Sequence, residues 1–143
     1  MKSKNNNTGN KFKIIITVGD ESGIGPEIIL KALFSKEIPD SIEILIVGSK
    51  INLKNTYKNL QSLGVQNIVD PCNYKIYDVK VPFEINQQRT SNGNASFYYL
   101  KKAIEIVQKH PNAALVTGPI CKKSWTLAGH NYSGQTELLA ESC

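Results

Sequence analysis

Three short apolar runs interrupt an otherwise mixed chain. They are Lys13-Ile-Ile-Ile-Thr-Val18, Ile42-Glu-Ile-Leu-Ile-Val-Gly48 and Ala113-Ala-Leu-Val-Thr117. None alternates strictly between apolar and polar positions. Runs of this kind, rich in β-branched side chains, predict strands buried on both faces, as in a parallel sheet. Between them the spacing turns helical. Ile28, Ile29, Ala32 and Leu33 mark one broad face of a helix over 26–34. Phe97, Leu100, Ile104 and Val107 do the same over 95–108, and Pro111 should stop that helix with Lys109 and His110 beside its negative end. His110 is accordingly expected as a helix-end or exposed residue.

One stretch has a different period. In Tyr77-Asp-Val-Lys-Val-Pro-Phe83 the odd positions are apolar, and a proline sits among them. That pattern predicts an edge or surface strand, not parallel to the others. Residues 84–94 are polar with Ser, Asn and Gly, which predicts a long loop before the helix at 95. Residues 1–11 are rich in Asn and Lys and predict a disordered tail. Strand and helix then alternate over 12–143. The expected fold is α/β, a three-layer α/β/α arrangement around a mostly parallel sheet. Ligands of such sheets bind at the carboxyl ends of the strands, so the turns there are the places to search.

Composition narrows the classes. The 143 residues suffice for one domain with its own core. Hydrophobic residues make up 41% and charged residues 20%, ordinary for a globular protein. No apolar run approaches the ~18 residues of a membrane span. The tail has neither the apolar stretch nor the cleavage site of a secretory signal, so a cytoplasmic location without membrane attachment is expected. The net charge of +5 is scattered, with no compact basic run and no aromatic ladder, which argues against a nucleic-acid partner. It is compatible with an anionic small substrate. Cys72, Cys121 and Cys143 are odd in number and widely spaced, which excludes a disulfide framework or zinc ribbon. His110 and His130 alone are too few for a closed structural zinc site.

Three turns carry candidate chemistry. The first strand is followed by Gly19-Asp-Glu-Ser-Gly-Ile-Gly-Pro-Glu27. Its glycines permit tight backbone geometry, Pro26 suits a first helical turn, and the free N–H groups there favour an anion. The dinucleotide and phosphate-loop fingerprints both fail, so the segment is either a ligand turn or a plain βα connection. Asp20 and Glu27 either face a ligand or cap and complement the helix start. Thr117-Gly-Pro-Ile-Cys-Lys-Lys123 follows the third run. Thr117 and Lys122 are candidate ligand-facing residues there, and Lys122 or Lys123 either reaches an anion or faces solvent. Cys121 is expected as a buried or half-buried thiol. Last comes Tyr132-Ser-Gly-Gln-Thr-Glu137, a turn and then a helix from Gln135. Gln135 and Thr136 offer an amide and a hydroxyl at a helix start, for a ligand or as an ordinary cap.

Taken together, these three segments resemble 4-hydroxythreonine-4-phosphate dehydrogenase of vitamin B6 (pyridoxal phosphate) biosynthesis. The first turn is also similar to that of isopropylmalate and isocitrate dehydrogenases; the second and third make the likeness specific. The resemblance implies a two-domain fold of the isopropylmalate/isocitrate-dehydrogenase kind, of which 12–143 is an incomplete N-terminal portion. It implies a homodimer that oxidises phosphohydroxythreonine with NAD or NADP to a β-keto acid, which then decarboxylates. A divalent metal (zinc, magnesium or cobalt) would be held by histidines beyond Cys143, and His130 matches none of them. The substrate pair is carried over as Gln135, where many members have His, and Thr136. Glu21 and Ser22 replace a common Pro-Ala, and Cys121 a common His or Asn. The other expectations are a dehydrogenase for another phosphorylated hydroxy acid, or a non-catalytic anion-binding or dimerisation module.

Overall fold

The structure is a computed structural model that describes residues 11–35, 37–81 and 88–142, backbone alone for 88–91. Residues 1–10 of the tail expected over 1–11, and the loop residues 84–87, lie outside these. The described chain runs β1 (Phe12–Thr17), α1 (Gly25–Ala32), β2 (Ile42–Gly48), α2 (Lys50–Ser62), a 3₁₀ turn (Pro71–Asn73), β3 (Lys75–Asp78), α3 (Gln88–Gln108), β4 (Ala113–Val116), α4 (Lys122–Leu127) and α5 (Gln135–Ser142). The sheet order is β3-β2-β1-β4, and every pairing is parallel. Ile14 of β1 sits opposite Ile44 on one side and Ala114 on the other. This is the α/β fold that the three unbroken apolar runs predict.

The core has two compartments, and α3 divides them. Ala95, Tyr99 and Ala103, one helical stripe at i, i+4 and i+8, join Ile15, Ile46, Leu30 and Leu53 in the main cluster. Phe97, Leu100 and Ile104 face a second cluster with Trp125 of α4 and Leu138 of α5. A helix apolar on two stripes is one buried on two sides. Val107, grouped with Phe97 by spacing, packs against the main cluster instead.

Two sequence expectations are overturned. An edge strand is present as β3, but over Lys75–Asp78, sharing only Tyr77 and Asp78 with the expected run, and it is parallel to β2, with Leu45 opposite Lys75 and Gly48 opposite Asp78. The connection through α2 and the 3₁₀ turn returns the chain to the same end of the sheet before β3 begins. A crossover of that length allows a parallel pair. Residues 79–81 of the period-two run follow the strand, so the alternation gave neither its extent nor its direction. Pro82 and Phe83 lie outside the described residues.

The loop expected over 84–94 is helix from Gln88 onward. Its polar, glycine-containing sequence serves a close helix crossing. A Cβ placed on Gly93 would lie 2.1 Å from the Ser124 carbonyl oxygen of α4. Ser96 Oγ donates to the Gly93 carbonyl and accepts from Trp125 Nε1 at 2.8 Å. Small and hydroxyl-bearing residues here bring two backbones together, a need that local periodicity does not express. Helix α2 had no expectation attached to it. Only Leu53 and Leu60 of its 13 residues are buried, and Ser49 Oγ caps it by accepting from the Asn52 N–H.

Candidate functional site

The carboxyl ends of β1 and β4 meet in backbone contact. The Gly118 N–H donates to both the carbonyl and the hydroxyl oxygen of Thr17, each at 3.0 Å. The Asp20 N–H donates to the Pro119 carbonyl at 2.8 Å. Gly19 has φ +76°, and a Cβ on it would lie 2.2 Å from the Pro119 oxygen. Both turns thus need glycine for the approach of one backbone to the other. The first turn is closed by Asp20, whose Oδ1 accepts from the Ser22 N–H at 2.9 Å and the Ser22 hydroxyl at 2.7 Å. Asp20 is buried, with its Oδ1 engaged inside the turn. Glu27 pairs with Lys31 one helical turn along α1, at 2.5 Å, and lies on the helix surface. Such exposed pairs contribute roughly 0.3–0.5 kcal/mol.

Beside this junction a cleft of about 400 Å³ opens between the β4–α4 turn and the start of α5. Its walls are Pro119, Ile120, Lys122, Ser133, Gly134, Gln135 and Thr136. Of the six candidate residues, the structure brings Lys122, Gln135 and Thr136 together here. Thr117 is exposed at the end of β4. Asp20 reaches the wall only through its backbone bond to Pro119, and Glu27 does not line it.

Gln135 is not an ordinary cap. Its Nε2 donates to the Gly118 carbonyl at 2.9 Å, and its buried Oε1 has no partner among the described residues. The amide donor expected to serve a ligand is therefore engaged by the backbone. Glu137, in the first turn of α5, reaches back to the preceding turn, its carboxylate accepting from the Ser133 N–H. That bond holds the Glu137 carboxyl below the usual glutamate value. Thr136 is exposed.

Cys121 is corrected as well: the thiol is exposed at the N-cap of α4. The Ser124 hydroxyl and N–H draw it below the usual cysteine value, against its partial burial and the charge of Asp20. His130 stacks on Phe97 with ring centroids 3.7 Å apart, and its Nε2 meets Asn94 Oδ1 at 2.7 Å. It is built into the second core compartment.

One pair was passed over by sequence reasoning. Glu21, noted only as a replacement, accepts a hydrogen bond from the buried Tyr99 hydroxyl of α3. Burial raises the Glu21 carboxyl first; the Tyr99 and Ser49 donors lower it, and the charges of Asp20 and Asp78 raise it further. Burial and the same bond raise the Tyr99 hydroxyl. The residues are 78 positions apart, and no local signal joins them.

Comparison with known proteins decides the family. Residues 40–143 match the family described as "Pyridoxal phosphate biosynthetic protein PdxA". The chain belongs to this family. Among curated relatives, 4-hydroxythreonine-4-phosphate dehydrogenase of Nostoc sp. is 42% identical over 144 residues, covering 94% of this chain and 40% of the relative. A Fusobacterium nucleatum protein provisionally named D-threonate 4-phosphate dehydrogenase is 33% identical, covering 92% of this chain and 43% of its own. The crystal structure of a 4-hydroxythreonine-4-phosphate dehydrogenase from Burkholderia phymatum superposes with a TM-score of 0.71 at 26% identity, covering 91% and 43% of the two chains. The chain thus spans about two fifths of the length of these relatives.

Among the described residues no three His, Cys, Asp or Glu side chains are placed to hold a metal ion, and no helix is long and apolar enough to cross a membrane. A divalent metal therefore does not fit the described residues as a site of their own.

Proposed function

We propose that this chain is the substrate-binding N-terminal α/β portion, residues 12–143, of an NAD- or NADP-dependent oxidoreductase acting on 4-phosphohydroxythreonine. The reaction would oxidise the substrate hydroxyl to a ketone and release carbon dioxide from the β-keto acid, in pyridoxal phosphate biosynthesis. The observation that carries this reading is the cleft in which Lys122, Gln135 and Thr136, from two separate turns, converge in a chain of this family.

The roles follow from the groups. Lys122 supplies a positive charge for an anionic, phosphorylated substrate. Thr136 supplies a hydroxyl that donates and accepts at the start of α5. Gln135 holds that helix start against the Gly118 carbonyl and so sets the width of the cleft. The nicotinamide would accept the hydride, and a divalent metal (zinc, magnesium or cobalt) would act as Lewis acid. The metal's ligands and much of the nicotinamide site would lie in parts of the family's length outside this chain. A cytoplasmic homodimer without membrane or nucleic-acid partners completes the proposal.

A second reading has one specific support, the D-threonate 4-phosphate name of the Fusobacterium relative. Both substrates are phosphorylated hydroxy acids, and the three cleft residues do not distinguish them. The test is reduction of NAD and NADP by the longest protein its gene encodes, with each substrate in turn and a divalent metal present. Turnover of 4-phosphohydroxythreonine supports the first reading, turnover of D-threonate 4-phosphate alone the second. Tight binding of either without turnover would leave the anion-binding module instead.

A further inference from the structure

Gly134 lines the cleft without a side chain, and its backbone does not demand glycine. It lacks the positive φ of Gly19, Gly64 and Gly129, so an alanine would fit its conformation. What a Cβ there would meet is Lys122, with Cε at 3.2 Å and Nζ at 3.7 Å. Among the described residues no other atom outside the adjoining ones lies within 4 Å of it. The exposed Lys122 thus lays the end of its stem over the buried Gly134. Neither backbone is placed to give way. Lys122 begins α4, which the fully buried Trp125 anchors. Gly134 precedes α5, whose first residue is tied to the Gly118 carbonyl through the Gln135 amide. A methyl group added at position 134 would therefore displace the lysine stem, which turns about its own bonds. No carboxylate among the described residues pairs with Lys122, so no ion pair would hold its charge in place.

We propose that Gly134 is a positioning residue for anion binding: the Lys122 stem rests on its bare Cα, and this seat sets where the ammonium meets the substrate's phosphate. The proposal rests on the reading of the cleft as the site of a phosphorylated substrate. Lysine is a point charge on a flexible stem, so its position must come from what the stem packs against. A charge-assisted hydrogen bond to phosphate needs a separation of about 2.7–2.9 Å, and Coulomb attraction weakens with every further ångström. Crowding the stem from position 134 moves the charge while leaving its sign, the cleft walls and the Gln135 bond as they are. Gly134 thereby acts on the anion only through Lys122.

The experiment is NMR of the 143-residue chain titrated with inorganic phosphate at constant ionic strength. The Thr136 amide reports binding, and the nuclear Overhauser effect between Lys122 Hε and Gly134 Hα reports the seat. The wild type should show that contact. Gly134→Ala should shift the Lys122 Cε resonance and weaken phosphate about threefold or more, as the displaced charge attracts it less. Its thermal midpoint should stay or rise, because alanine at an ordinary φ restricts the unfolded chain. Lys122→Met, which keeps a stem and removes the charge, should weaken phosphate roughly tenfold. Adding Gly134→Ala to Lys122→Met should weaken it no further, the non-additivity of two residues acting through one group. Absence of the Lys122–Gly134 contact in the wild type overturns the seat without any variant. Phosphate binding reduced by Lys122→Met but kept in Gly134→Ala overturns the positioning role and leaves the anion reading of the cleft standing. Further weakening in the double variant also overturns it, since the glycine would then act on the cleft itself. No phosphate binding by the wild type, or binding untouched by Lys122→Met, overturns the anion reading and the proposal with it.

Discussion

The Gln135 amide donates to the Gly118 carbonyl across 2.9 Å, and this bond ties the first residue of α5 to the turn that follows β4. It spans 17 residues of sequence and closes one side of the candidate cleft. Gln135→Glu replaces the donor with a second acceptor facing a carbonyl. The unmade bond should cost roughly 1–3 kcal/mol. Gln135→His keeps a ring N–H that can donate to the same carbonyl, and should cost less. Urea unfolding of the two variants side by side checks the order; equal stability would mean that the bond is not formed in solution.

Thr136 probes the proposed substrate site without touching the core, because its side chain is exposed on the cleft wall. Thr136→Val keeps the shape and removes the hydroxyl. Unfolding should move by no more than ~0.5 kcal/mol. In an active protein, kcat/KM should fall roughly tenfold to hundredfold, the loss of one hydrogen bond to a charged group. Unchanged kcat/KM would reduce this segment to a helix start and nothing more.

Gly93→Ala tests the crossing of α3 and α4. Helix propensity favours alanine over glycine by ~1 kcal/mol. Against that, the new methyl group would meet the Ser124 carbonyl oxygen at 2.1 Å. That atom is backbone, in a helix anchored by the fully buried Trp125, so it cannot turn aside as a side chain would. Overpacking of this kind costs typically 1–3 kcal/mol and should win. A lowered thermal midpoint is the expected result, and a raised one would show that the helices are farther apart.

Glu137 links stability to pH. Its carboxyl is lowered by the Ser133 N–H it accepts from. Its contribution is present above the unfolded glutamate value and is lost as pH falls through the lower folded value. Glu137→Gln should therefore lower stability in the neutral region, flatten the acid limb of the profile, and leave stability at the acid end, where Glu137 is protonated, nearly unchanged. Because the group is at the surface, the effect should shrink with added salt.

Sequence by itself determined the strands β1, β2 and β4, and through them the parallel α/β sheet. Contiguous runs such as Ile14-Ile-Ile16 bury both faces only in a sheet interior, so local composition suffices. It also located the turns that line the cleft, since glycine and proline at strand ends mark connections whatever lies across from them. Tertiary structure alone decided the rest. The direction of β3 depended on the path of a 26-residue connection, from Ser49 to Tyr74, that local pattern does not encode. Helix formed through the polar stretch before Ala95 because α4 packs against Gly93. That Asp20 Oδ1 is engaged by Ser22 and the Gln135 amide N–H by the Gly118 carbonyl is a matter of which groups the fold brings within reach. The exposure of Cys121 and the pairing of Glu21 with Tyr99 are likewise matters of burial and distance. Desolvation and hydrogen bonding act between residues that are neighbours in space, and residues 78 positions apart become neighbours only when the chain has folded.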